Sequence, residues 1–312
     1  MPLYRSYDDT DLSYRVLEAR DTGEGDRAAL PPLLVLAGGP GRDAAYLGDL
    51  GGLDAHRSLV IPDSRGTGDS PTADDPSLYA FPRLAEDLER LREHLGLERF
   101  ALLAHDAGAA VAQAYAASHP ERLTHLVLVC PGSRLQGELP HDAQEIFESR
   151  AAEPWWPDAS VAVQRLAEVG DLGEVRELLL RAAPLAYGHW DEPQRAHAAT
   201  QGEQLNPVPR AGFWQGVDEA ARQGLLELLE SVECPVLVLT GDRDAMSGMR
   251  AGELVAESFP DGRVLPLHTV GHYPWVDEPE MFRPVVEEFL GTAEDDAAEG
   301  DAAEDVAEPD GA

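Results

Sequence analysis

Six short apolar runs recur along the chain: "LLVLA" at 33–37, "SLVI" at 58–61, "FALLA" at 100–104, "HLVLVC" at 125–130, "PVLVLT" at 235–240 and "RVLPLH" at 263–268. None alternates between apolar and polar positions. Unbroken runs of this length predict strands covered on both faces, hence a mostly parallel sheet. Between the runs the period lengthens. Leu84, Leu88, Leu91 and Leu95 fall on one stripe of a helix predicted over 81–95. This strand-helix rhythm predicts an α/β fold with a doubly wound sheet. One region departs from it. From about 136 to 225 the pattern is helical, broken by prolines, and holds Trp155, Trp156, Trp190 and Trp214. It predicts a helical cap, with 1–135 and 226–291 as the core. From 292 onward "TAEDDAAEGDAAEDVAEPDGA" predicts a solvated, disordered acidic tail.

Charge narrows the choice of partner. The chain of 312 residues carries 24 basic and 58 acidic side chains, 24 − 58 = −34, and contains no lysine. Nucleic acid and anionic membrane surfaces need basic patches, so neither is an expected partner. The absence of lysine excludes a Schiff base. Two cysteines in so long a chain make no disulfide framework, and suit a reducing cytoplasm. The opening twenty residues show no signal-peptide pattern, and no apolar run approaches a membrane span.

Four stretches carry candidate chemistry. "AGGPG" at 37–41 follows a strand, where glycines let backbone N–H groups face a ligand. "AHDAG" at 104–108 joins a strand to the strong helix former "AGAAVAQAYAASH", and places Asp106 at the turn. A helix N-terminus favours that negative charge; capping alone would also explain it. "GDRD" at 241–244 ends a strand and presents Asp244, and "VGHYPWVDEP" at 270–279 presents His272. The order nucleophile, acid, histidine is that of one type of hydrolytic triad.

On these residues the sequence resembles the α/β hydrolases, and within them the proline-iminopeptidase-like branch. The carriers are "GGPG" (38–41), "DSRGTGDS" (63–70), the elbow (104–108), "GDRD" (241–244) and "GHYPWVDEP" (271–279). The resemblance spans about residues 30 to 290. It implies the α/β-hydrolase fold with an inserted cap, and a hydrolase needing no cofactor and no metal. It also implies an oxyanion hole from the N–H groups of Gly39 and Ala107, with Asp244 orienting His272 as base. The "DSRGTGDS" loop reads as structural, through Asp63 and Arg65. Two positions depart from the family pattern. Ala37 stands where a histidine precedes the glycines, and Asp106 stands where a serine attacks. The pair His105-Asp106 resembles epoxide hydrolases and haloalkane dehalogenases instead.

A carboxylate and a serine do different work. Attack by a carboxylate on an ester or amide yields an anhydride, higher in energy than the ester. At saturated carbon it can open an epoxide or expel a halide, leaving an alkyl ester that water then cleaves. Ala107 stands where dehalogenases and many epoxide hydrolases carry a tryptophan, so one halide-binding indole is missing, which favours an epoxide-like small molecule over a halide. Tyr187 is the only tyrosine of the expected cap and the candidate leaving-group acid. Trp190 and Trp214 are candidates for lining the substrate pocket. Under the alternative of an aminopeptidase or esterase, Glu203 or Asp191 would anchor a substrate amino group. A third reading is a ligand-binding protein without turnover.

Overall fold

A computed structural model describes residues 1–20 and 30–291; the expected acidic tail lies outside them. Eight strands form one sheet: β1 (Leu3–Arg5), β2 (Asp11–Leu17), β3 (Leu33–Leu36), β4 (Leu59–Pro62), β5 (Phe100–His105), β6 (Leu123–Val129), β7 (Val236–Gly241) and β8 (Gly262–Leu267). Their order is β1-β2-β4-β3-β5-β6-β7-β8. Strands β3 to β8 run parallel to one another, and at one edge β2 pairs antiparallel with both β4 and β1.

Helices cover both faces. On one lie α1 (Phe81–Leu95) and α2 (Gly108–Ser118). Phe81, Leu88 and Leu91 of α1 and nearly every residue of α2 are buried there against Leu34, Leu102 and Leu126. The small residues of α2 let it lie close to the sheet along its whole length. Between β6 and β7 come α3 (Asp142–Ser149), α4 (Trp156–Leu166), α5 (Leu172–Ala182), α6 (Glu192–Ala199), α7 (Gln201–Gln204), α8 (Pro207–Gly212) and α9 (Glu219–Leu229). The boundary expected at 225 falls inside α9, which packs on α2. The chain continues with α10 (Arg250–Ala256), α11 (Pro274–Asp277) and α12 (Pro279–Leu290). Phe282, Val286 and Leu290 of α12 cover the second face, against Leu33, Leu59 and Leu103.

The doubly wound sheet matches the expectation from the apolar runs. Strands β3, β4, β5 and β7 are buried at every residue. Strand β8 differs: its run "RVLPL" is mostly exposed. It is an edge strand, and Pro266 suits an edge because it donates nothing to a further neighbour. No helix among the described residues is long and apolar enough to cross a membrane. Both cysteines are buried free thiols.

The "DSRGTGDS" loop folds as an ionic anchor. The Arg65 guanidinium is buried and binds both oxygens of Asp87, at 2.7 Å each, and those of Asp8. Asp63 accepts from Ser13 and Arg15.

Candidate active site

Asp106 follows the last residue of β5 with φ of 50°, left-handed backbone that a non-glycine residue adopts only when its surroundings impose it. The surroundings are tight. A Cβ on Gly38 would stand 2.5 Å from the His105 carbonyl and 2.7 Å from the Asp106 Cβ. A Cβ on Gly108 would stand 2.7 Å from the Ala37 carbonyl. Glycine at both positions lets the 37–41 loop and the start of α2 close on the elbow. Gly39, at φ of 118°, then points its N–H at Asp106, donating to Oδ2 at 2.8 Å. Ala107 is the N-cap of α2, so the free N–H groups of that helix start beside the carboxylate.

The other oxygen faces a histidine. His272 Nε2 is 3.8 Å from Asp106 Oδ1, too far for a hydrogen bond. On the far side of the ring, His272 Nδ1 is 2.9 Å from Asp244 Oδ2. Asp244 is fully buried in the turn after β7, where its Oδ1 accepts from the N–H groups of Met246 at 2.7 Å and Ser247 at 3.2 Å. Burial alone would lower the His272 pKa, but the charges of Asp244 and then Asp106 outweigh it and raise the pKa above the ordinary value. Asp106 keeps 28% of its side chain exposed.

A second buried histidine has the opposite character. The His105 pKa is pushed well below its ordinary value, by burial first and then by the neighbouring His272. Its ring bridges three loops. The Gly38 N–H donates to Tyr46 Oη at 2.8 Å, Tyr46 Oη lies 2.7 Å from His105 Nδ1, and His105 Nε2 lies 2.9 Å from the His272 carbonyl. A neutral His105 with its proton on Nε2 satisfies all three contacts. Arg42 closes the group. It is 4% exposed, stacks 4.2 Å from the Tyr46 ring and donates to Tyr273 Oη at 2.9 Å and Gln204 Oε1 at 3.0 Å. Arg42, Tyr46 and Tyr273 escaped the sequence reading, because nothing in their spacing marks residues that meet only through side chains.

The expected cap residues lie in separate places. The Tyr187 hydroxyl is buried and donates to His197 Nδ1 at 2.7 Å, while His197 Nε2 donates to the Tyr46 carbonyl at 2.9 Å. Burial lowers the His197 pKa to about 4, so the ring is a neutral acceptor for Tyr187. Trp190 packs beside Tyr187, with ring centres 5.6 Å apart. Trp214 packs on Phe81 at 4.9 Å and under Arg134 at 4.4 Å, on the α1 side of the sheet. Glu203 is exposed on α7, and Asp191 is exposed at the start of α6. Cys130, Asp244 and His272 place one donor atom each within 4.8 Å of one another. Burial raises the Cys130 thiol pKa well above its ordinary value, and a protonated thiol is a poor metal ligand.

The family described as alpha/beta hydrolase fold matches residues 31–279, which include all three loops of the site. A putative carbamate hydrolase RutD of Caulobacter sp. (strain K31) is 30% identical over 239 residues, 74% of this chain and 80% of its own length. A pimeloyl-(acyl-carrier protein) methyl ester esterase of Aeromonas hydrophila subsp. hydrophila is 27% identical over 267 residues, 84% of this chain and 96% of its own. The crystal structure of the proline iminopeptidase of Mycobacterium smegmatis aligns with a TM-score of 0.70 at 22% identity, covering 93% of this chain and 97% of that one. A match that runs from β3 through the histidine loop takes in the sheet and everything it holds at its edge, and so the chain belongs to the alpha/beta hydrolase fold family and is a hydrolase.

Proposed function

We propose that Asp106 is the nucleophile of a hydrolase that attacks saturated carbon in a small, epoxide-like molecule. The observation that carries this reading is the division of labour between the two Asp106 oxygens. Oδ2 is held by the Gly39 N–H, and Oδ1 is turned toward His272 without a hydrogen bond. Oδ1 is therefore the free nucleophile. Its attack on an epoxide carbon breaks the C–O bond, leaves an alkoxide that takes up a proton, and forms an alkyl ester of Asp106. Oδ2 is then the ester carbonyl oxygen, already at an N–H donor. His272, held by Asp244, removes a proton from water as that water adds to the carbonyl carbon. The resulting oxyanion develops on Oδ2, where one such donor lowers the barrier by about 3 kcal/mol. Collapse breaks the Cγ–Oδ1 bond, the departing oxygen takes the proton from His272 and leaves as the diol, and loss of the remaining acid proton to water restores the carboxylate.

The relatives' names, carbamate hydrolase, ester esterase and proline iminopeptidase, support a second reading as an aminopeptidase or esterase. Asp106 weighs against it, because an acyl transfer to a carboxylate stops at an anhydride. Binding without turnover is the third reading. The small-molecule substrate and the cytoplasmic setting suited to the two free thiols are common to all three.

Intact-protein mass spectrometry of His272→Ala, incubated with epoxides, alkyl halides and esters, tests the reading. The variant lacks the base for the second step, so a mass gain equal to one whole epoxide should accumulate and map to Asp106. No adduct, beside ester or amide turnover by the unmodified protein, would overturn it in favour of the second reading.

A further inference from the structure

Behind the acid turn lies a half-open cleft of about 520 Å³. Its lining inverts the character of the chain. Arg150, Arg195 and Arg243 line it with His189 and the indoles of Trp155 and Trp190, in a protein with 58 acidic and 24 basic side chains. Two carboxylates share the wall, Glu153 and Asp191. Glu153 stands 4.0 Å from Arg243. Among the described residues, neither Arg150 nor Arg195 has a carboxylate within ion-pair distance.

Arg150 is the unusual member. It is 7% exposed and stacks 4.6 Å over the Trp155 ring. Its NH1 donates to the carbonyls of Tyr187 at 2.6 Å and Arg243 at 3.3 Å, while its buried Nε has no partner. A buried guanidinium whose direct partners are carbonyls, with the charges of Glu153 and Asp277 acting only from beyond ion-pair distance, is costly unless an anion completes it.

The cavity is distinct from the triad. The Ala186 carbonyl accepts from the His272 N–H at 2.7 Å, and the next carbonyl, of Tyr187, accepts from Arg150. Tyr187 is extended, so these two carbonyls point to opposite sides of one chain segment. His272 lies on one side of the segment and Arg150 on the other.

We propose that this cavity binds a small aromatic carboxylate. The ring stacks on an indole and the carboxylate takes the forked donors of the unpaired arginines, the pairing for which guanidinium geometry is suited. A cavity of this size holds a molecule of one or two rings. Glu153 and Asp191 in the wall favour a singly charged anion over a doubly charged phosphate.

The test is isothermal titration calorimetry on the full chain with 2-naphthoate, 2-naphthylmethanol and inorganic phosphate. Naphthoate should bind at least tenfold tighter than either other probe. Arg195→Glu, a change on an exposed face of α6 whose intact fold is checked by circular dichroism, should weaken naphthoate at least tenfold. Asp106→Asn should leave the naphthoate Kd unchanged. Equal binding of the alcohol, tighter binding of phosphate, or indifference to Arg195→Glu overturns the proposal. Loss of binding in Asp106→Asn overturns it as well, by assigning the probe to the active site, and is read independently of whether Asp106 is a nucleophile.

Discussion

At the C-terminal edge of the sheet, Asp106 and Asp244 sit on turns that leave buried strands and His272 on the loop after the exposed strand β8, and main-chain groups hold all three in place. Gly39 N–H grips Asp106, two turn N–H groups grip Asp244, and the Ala186 carbonyl grips the His272 N–H. In the cap, Tyr187 and Gln204 are held through side chains, Tyr187 on His197 and Gln204 on Arg42. Main-chain grips survive most substitutions, whereas side-chain grips are exchanged one at a time. On the proposed function, this difference assigns reaction type to the sheet edge and substrate choice to the cap. Breaking a contact in each region puts that division at risk.

The largest effect is expected from Asp244→Asn. The amide cannot hold a positive His272, and a triad that loses its acid in this way loses about 10⁴-fold in kcat. The pH dependence moves with it. The His272 pKa is raised in the protein by the charges of Asp244 and Asp106. As a base the ring must be neutral, so kcat should rise with pH along a limb centred above the ordinary histidine value. Removing the Asp244 charge should move the His272 titration, followed by NMR, to lower pH. A limb that stays in place would mean that another group sets it.

Next comes Gly39→Ala. The position has φ of 118°, and a new Cβ would meet Arg42 at 2.7 Å. The N–H that faces Asp106 would swing away, and a lost oxyanion donor costs on the order of 100- to 1000-fold in kcat. Single-turnover kinetics should show the loss in cleavage of the Asp106 ester. A loss confined to formation of the ester would show that Gly39 only positions the nucleophile.

The same division explains what was legible beforehand. Strands β3 to β7 announce themselves because burial on both faces removes polar residues from the run. The β1 and β2 strands do not: β1 has three residues, and β2 carries Asp11, Ser13 and Arg15 among its apolar ones, as an antiparallel edge region can. Asp106, Asp244 and His272 each follow a strand closely, so finding the strands nearly locates them. Arg42, Tyr46, His105 and Tyr273 converge from three segments through side chains, and no local pattern marks that convergence. Trp214 shows the same limit from the other direction. Its large apolar ring packs on Phe81, and a tryptophan in a turn packed against a core helix looks no different in sequence from one in a pocket.

The smallest effect on rate, and the sharpest test of the division, is Tyr187→Phe. In the structure the Tyr187 proton is committed to His197, and both groups are buried. Deleting the hydroxyl leaves the His197 Nδ1 lone pair without a donor, a loss of about 1–3 kcal/mol in stability. A strut should show that loss in denaturant unfolding, with kcat changed less than about threefold, since 1.4 kcal/mol in the barrier would already be tenfold. A leaving-group acid should behave in the opposite way. Its removal would cut the rate of epoxide opening by roughly 100-fold or more, as loss of a positioned proton donor does, and would leave ester cleavage untouched. That outcome would require Tyr187 to exchange His197 for the substrate oxygen, and would move part of the chemistry from the sheet edge into the cap.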